Sequence, residues 1–213
     1  MQVVFYPSTK RFFGNAGGEV TVYSRHVGRI SFREELDGKT GLLSALAAES
    51  RRTEGVILYS ADTDVYGTLH RSVIVTDCGK LLGVSDATVV EDGAVFSAGS
   101  TVSLYDTSAG KIGVLVGEDL YYYEPARSLS MAGSNLIVHI TRQNRPESVL
   151  CAEALAYFCG VPVLSACEGC ALAADTEGKL LCASPKDGTA VHIPAVAPRS
   201  QIKMRIRHGA GSK

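Results

Sequence analysis

Apolar and polar residues along the chain fall into short runs of β-branched and aromatic residues separated by turn formers. Such runs occupy 3–6, 19–23, 55–59, 72–75, 101–105, 112–116 and 136–140, and each predicts a strand. Three segments follow helical spacing instead: 42–54, about 124–132 and 146–159. In the first, Leu42, Leu43, Leu46 and Ala47 share one face while Glu49, Arg51 and Arg52 take the polar side, and Gly55 suits the C-terminal stop. The third has Pro146 in its first turn, Glu147 beside it and Gly160 at its end. It is apolar around most of its circumference, which predicts burial against a sheet on one side and a second element or subunit on the other.

The segments 77–82, 106–112 and 175–181 repeat one pattern: an apolar strand, a turn built on Asp and Gly, and a returning strand. These are three β-hairpins, with glycine supplying the positive φ of the tight turn. Hairpins interspersed with amphipathic helices predict a layered α/β or α+β fold of antiparallel-rich sheets with helices on their outer faces. No glycine-rich loop of the phosphate-binding type joins a strand to a helix, so neither a doubly wound nucleotide fold nor a nucleotide cofactor is expected.

Composition narrows the function classes. The 213 residues are 46% hydrophobic, with 21 basic and 22 acidic side chains and a net charge of −1. That length predicts a single domain over 1–213, large enough to bury a core without disulfide or metal staples. Near-neutrality offers no general attraction to polyanions, and no apolar run approaches the ~20 residues that span a bilayer. The N-terminal stretch has no basic segment followed by an apolar run, so the cytoplasm is the expected location. Six cysteines (78, 151, 159, 167, 170 and 182) read there as reduced thiols. Cys167 and Cys170 have metal-knuckle spacing, but the histidines at 26, 70, 139, 192 and 208 are scattered singly, and neither a metal nor any other cofactor is expected. The tail 199–208 alternates Ile and Met with Lys and Arg. It predicts a final half-buried strand with a basic face, too short and too poor in aromatics to indicate nucleic-acid binding.

Four segments, in order, resemble the carbon–nitrogen hydrolase (nitrilase/amidase) superfamily. Asp77-Cys78-Gly79-Lys80-Leu81-Leu82-Gly83-Val84 resembles the family's hairpin leading to its lysine, and Phe96-Ser97-Ala98-Gly99 the turn that follows. The run from Gly110 through Val116-Gly117-Glu118-Asp119 to Glu124 and Arg127 resembles the nucleophile strand and the turn after it, and Ala132-Gly133-Ser134-Asn135 the next helix end. Gly169 to Leu181 resembles the late hairpin. The resemblance implies an αββα sandwich, shortened here at the N-terminus, with residues 1–40 divergent. It also implies dimerisation through the helices beside the nucleophile turn. The implied reaction is hydrolysis or condensation of nonpeptide carbon–nitrogen bonds through a cysteine thioester, with a glutamate base and a lysine that stabilises the oxyanion.

The matched positions lack those groups. The cysteine position falls on Gly117, the lysine on Ala87, and the base near Arg25, whereas a further family glutamate corresponds to Glu91. Loss of the nucleophile removes the covalent route. The expectation is a non-catalytic member of the fold that acts by binding or assembly, as a homo-oligomer (a dimer) or with a catalytic paralogue. Gly117, Glu118, Asp119, Tyr121 and Tyr122 are candidates to line a pocket for a small amide or carboxylate. The plainer reading of Asp119 and the tyrosines is turn anchoring and packing. The alternative is an altered hydrolase whose nucleophile lies elsewhere, at Cys78, Cys167 or Cys170, which requires a Glu or His within hydrogen-bonding reach.

Overall fold

A computed structural model describes residues 1–14, 16–91 and 93–194; the basic 199–208 segment lies outside them. The first sheet is built from β1 (Gln2–Tyr6), β2 (Val20–Ser31), β3 (Val56–Val65), β4 (Thr68–Asp77), β5 (Lys80–Asp86) and β12 (Thr189–His192), in the order β12-β1-β2-β3-β4-β5. The second holds β6 (Ser103–Thr107), β7 (Gly110–Val116), β8 (Leu136–Ile140), β9 (Val163–Cys167), β10 (Cys170–Ala174) and β11 (Leu180–Ser184), in the order β11-β10-β9-β8-β7-β6. The short α1 (Phe32–Leu36) and α2 (Leu42–Thr53) accompany the first sheet, and α3 (Tyr123–Met131) and α4 (Glu147–Cys159) cover the second.

Strand alternation sorts the core into three layers. Val56 and Leu58 of β3, Val73 and Val75 of β4, Ile112, Val114 and Val116 of β7, and Leu136, Val138 and Ile140 of β8 meet between the sheets. Their neighbours turn outward. Ile57, Tyr59 and Ile74 pack with Leu46 of α2, and Leu115, Ile137 and Val163 pack with Ala126 and Leu129 of α3 and Ala152, Leu155 and Ala156 of α4. The order of layers is helix, sheet, sheet, helix.

Several expectations need correction. The sheets are antiparallel-rich, with six of ten strand pairs antiparallel, but they are also mixed, because β1-β2, β2-β3, β7-β8 and β8-β9 are parallel. Each parallel pair in the second sheet is joined by a covering helix, whereas the described residues between β1 and β2 hold no helix. Strand β2 runs well past residue 23, crossing two irregularities in its register with β3. Its later half, Ser24 to Ser31, is too polar to carry a strand signal. Helix α2 ends at Thr53 and is capped by Glu54, itself left-handed at φ 52°, so Gly55 is not the stop. A Cβ on Gly55 would lie 3.1 Å from the carbonyl oxygens of Gly18 and Glu19, so close packing is what requires glycine there. Glu49 is buried on the helix face, where it pairs with Arg52 and accepts from the Gly14 amide.

Helix α3 sits tight on β7 because Gly113 has no side chain: a Cβ there would approach Leu129 Cδ1 to 2.9 Å and Leu129 Cβ to 3.1 Å. Gly113→Ala is expected to push α3 off the sheet and lower stability by about 1–3 kcal/mol, the usual range for overpacking. Urea unfolding that leaves the midpoint unchanged would contradict this packing.

Candidate functional site

Strand β7 ends at Val116, and the chain enters a short 3-10 turn, Gly117–Tyr121. Gly117 adopts φ +62°, the left-handed region that disfavours side chains, and a Cβ built on it would face the Ala87 Cβ at 3.7 Å. The two positions at which the resemblance places a cysteine and a lysine are therefore brought together, and neither bears a functional group.

Two buried polar residues hold this turn. His139, from the otherwise apolar strand β8, is fully buried, with Nε2 2.8 Å from the Gly117 carbonyl and Nδ1 2.8 Å from Ser165 Oγ. A carbonyl only accepts, so Nε2 carries the proton and Nδ1 accepts from the Ser165 hydroxyl. Burial opposes the charged form and lowers the imidazole pKa to about 4, against the hydrogen bond to Gly117. Asp119 accepts at Oδ1 from the Thr88 amide (2.9 Å), the Thr88 hydroxyl (2.8 Å) and the Val89 amide (2.8 Å), and at Oδ2 from the Val116 amide (3.1 Å). Burial raises its carboxyl pKa, and those hydrogen bonds only partly offset the effect. Asp119 thus ties the end of β7 to the segment after β5 and anchors the turn.

The space in front of Gly117 is nearly filled. A cavity lined by Ser60, Arg71, Ser72, Gly117, Thr141 and Arg142 has about 10 Å³ of free volume, the room of one water. Asp62 crosses between the sheets here, with Oδ1 2.6 Å from Arg142 Nη2 and Oδ2 3.2 Å from His26 Nε2. Burial alone would raise the Asp62 pKa; hydrogen bonding and charge from His26 and Arg142 outweigh it and hold the carboxyl below its ordinary value. Arg29 pairs with Asp64, and Arg25, at the expected position of the base, turns to Glu168 at 2.9 Å.

The remaining candidates lie beside this space. Glu118 is 8% exposed and is held by Arg145 at 3.0 Å; the same guanidinium reaches the exposed Glu91 at 2.7 Å. Arg145 also stacks on Tyr121, whose hydroxyl meets Ser148 Oγ at 2.9 Å. Tyr121 and Tyr122 line a different feature, an apolar groove of about 220 Å³ between the turn and α4 that includes Cys151 and Phe158.

Cys167 and Cys78, two of the alternative thiols, have neither a histidine nor a glutamate as hydrogen-bond partner among the described residues. Cys167 is buried with Sγ 3.5 Å from the Cys170 carbonyl, and desolvation pushes its pKa up to about 11. The Cys78 pKa is raised by its hydrogen bond with Asp77 and by burial, and its Sγ lies 3.8 Å from Ser108 Oγ. Neither thiol is hydrogen-bonded to a histidine or glutamate among the described residues, and no cluster of three metal-ligating side chains occurs among them. No described helix is long and apolar enough to cross a membrane.

Solved structures share this arrangement of layers. The Saccharomyces cerevisiae member of branch 10 of the nitrilase superfamily aligns with a TM-score of 0.71 at 13% identity, covering 87% of this chain and 80% of its own. An amidase of the same superfamily from Nesterenkonia AN1 aligns at 0.73 and 14%, covering 98% and 94%. The fold is the nitrilase-like αββα sandwich. A carbon–nitrogen hydrolase from Helicobacter pylori G27 aligns at 0.69 and 16%, covering 89% and 82%. No family model and no curated protein matches the sequence. Within this nitrilase-like sandwich, His26, Asp62, Arg71, Arg142 and His139 shape the site, and sequence reasoning missed all five. His139, a single polar residue inside Leu136–Ile140, is the one that left a local signal.

His139 generates a pH dependence. Its folded pKa of about 4 lies below the ordinary 6.5, so the unfolded chain binds the extra proton between those values. Its stabilising contribution is complete above pH 6.5 and declines as pH falls toward 4. The loss is about 3 kcal/mol, at ~1.4 kcal/mol per pKa unit. Urea unfolding of the parent and His139→Gln from pH 7 to 4 measures it; parallel curves for the two proteins would refute the assignment.

Proposed function

We propose that this chain is a non-catalytic member of the carbon–nitrogen hydrolase fold that acts by small-molecule binding or protein assembly. The observation that carries this reading is the apposition of Gly117 and Ala87, where covalent chemistry of this type needs a thiol and an ammonium group. The ion pairs of Asp62 with Arg142 and His26, and of Arg25 with Glu168, support it by occupying the space and the polar groups a substrate would use. A cytoplasmic setting belongs to the same reading, since all six cysteines are free.

Ammonia release from a panel of amides, nitriles and N-carbamoyl compounds tests the proposal, and no turnover is expected. Gly117→Cys is expected to fold, because the nearest atom to the new Cβ is at ordinary contact distance. It loses about 1 kcal/mol to left-handed backbone strain and stays inactive, lacking base and lysine. Parent activity that disappears in Cys167→Ala/Cys170→Ala would overturn the reading in favour of an altered hydrolase.

Assembly has its own support. Helices α3 and α4 leave Tyr122, Tyr123, Leu150, Tyr157 and Phe158 exposed by 41–68% around the apolar groove. A contiguous apolar surface of this kind marks an interaction face, and the same patch on two copies can close a two-fold dimer. Light scattering at micromolar concentration is expected to give the mass of a dimer, and Leu150→Glu/Phe158→Glu that of a folded monomer. A monodisperse parent monomer would refute self-assembly.

A further inference from the structure

Arg71 stands apart from the other arginines around Gly117. Arg25, Arg29, Arg142 and Arg145 each pair with a carboxylate. Arg71 has no carboxylate partner among the described residues, and its buried Nε has no acceptor. Its guanidinium stacks on Phe96 at 5.0 Å, and its main chain is fixed in β4, where its carbonyl accepts from the Ala87 amide at 2.9 Å. Alternation with Val73 and Val75 turns it toward the space between the sheets. A buried donor without an acceptor is costly enough that structures rarely keep one without a water or ion to fill the gap.

No carboxylate of the described residues pairs with Arg71 in this cavity. Arg71 and Arg142 both line it, and Asp62, the carboxylate paired with Arg142, is also held by His26. Asp64 is engaged by Arg29, and Asp86 accepts from Ser72. The hydroxyl-bearing residues Ser60, Ser72 and Thr141 complete the lining. A free volume of about 10 Å³ takes one water-sized atom and excludes sulfate, phosphate and intact amides.

We propose that the cavity bounded by Arg71, Arg142 and Gly117 is a binding site for one compact monovalent anion. This deepens the non-catalytic reading above and rests on it. The ligand chemistry is a single negative charge on a small acceptor that takes the Arg71 Nε–H. Chloride meets it as a whole ion, and formate with one carboxylate oxygen seated and the remainder at the mouth.

The test uses the full chain and the ³⁵Cl resonance of sodium chloride, with ionic strength held constant. Saturable broadening by the protein is expected, reversed by competition with formate but not with the bulkier methanesulfonate. Arg71→Met, which keeps apolar contact with Phe96, is expected to weaken chloride or formate binding at least tenfold, whereas Arg29→Gln leaves it unchanged. If Arg71→Met fails to show a cooperative urea transition, Arg71→Lys replaces it; that variant retains the charge, lacks Nε–H and is expected to weaken binding in the same sense. Formate displacing chloride at lower concentration identifies a carboxylate head as the better occupant, and chloride outlasting formate identifies the halide; both uphold the site. Equal displacement by methanesulfonate, unchanged binding in the Arg71 variant, or the absence of both chloride broadening and formate binding heat overturns it. Ammonia release alongside persistent anion binding would overturn the non-catalytic reading and leave the anion site standing.

Discussion

The left-handed turn after β7 depends on buried hydrogen bonding more than on any group able to do chemistry. Asp119 gathers three amides and a hydroxyl from both sides of the sandwich, and His139 donates to the carbonyl of Gly117 from the neighbouring strand. Losing one partner would leave the others unsatisfied in a low-dielectric interior, so the arrangement holds or fails together. The turn's geometry is thereby held by groups other than a side chain at position 117.

This arrangement separates architecture from activity. Packing between the sheets continues under the turn without interruption, with Val116, Ile140 and Ala87 in one cluster. Above it, the end of the sandwich is polar, and its charges are satisfied largely within the chain. Half-buried pairs such as Asp62 with Arg142 carry some desolvation cost, so they are weak evidence for added stability. Their clearer effect is spatial, since they leave room for a single water where a substrate would have to enter.

Much of the fold was legible in the sequence because local chemistry dictates it. Asp-Gly turns announced the β4-β5, β6-β7 and β10-β11 hairpins, and helix α4 was marked by Pro146 and Gly160. The second half of β2 was hidden because its polar residues reach ion-pair partners far along the chain, as Arg25 does with Glu168 and His26 with Asp62. Glu49 read as a solvent-facing residue because the Gly14 amide that it caps arrives from another segment. Of the site, ordered motifs singled out Gly117 and Ala87 separately but not their apposition, and the Asp62, Arg71 and Arg142 cluster joins β3, β4 and the segment after β8 by register alone. No sequence spacing encodes that meeting.

The residues at positions 25, 87 and 117 are physically coupled. Ala87 is 1% exposed within the apolar cluster between the sheets. A lysine there would be a desolvated ammonium, tolerable only with an anionic partner in reach. With arginine at position 25 directed to Glu168 and glycine at 117, no carboxylate or thiolate stands at either matched position to supply that charge. An unpaired lysine would therefore destabilise the sandwich, while alanine extends the apolar core at no electrostatic cost.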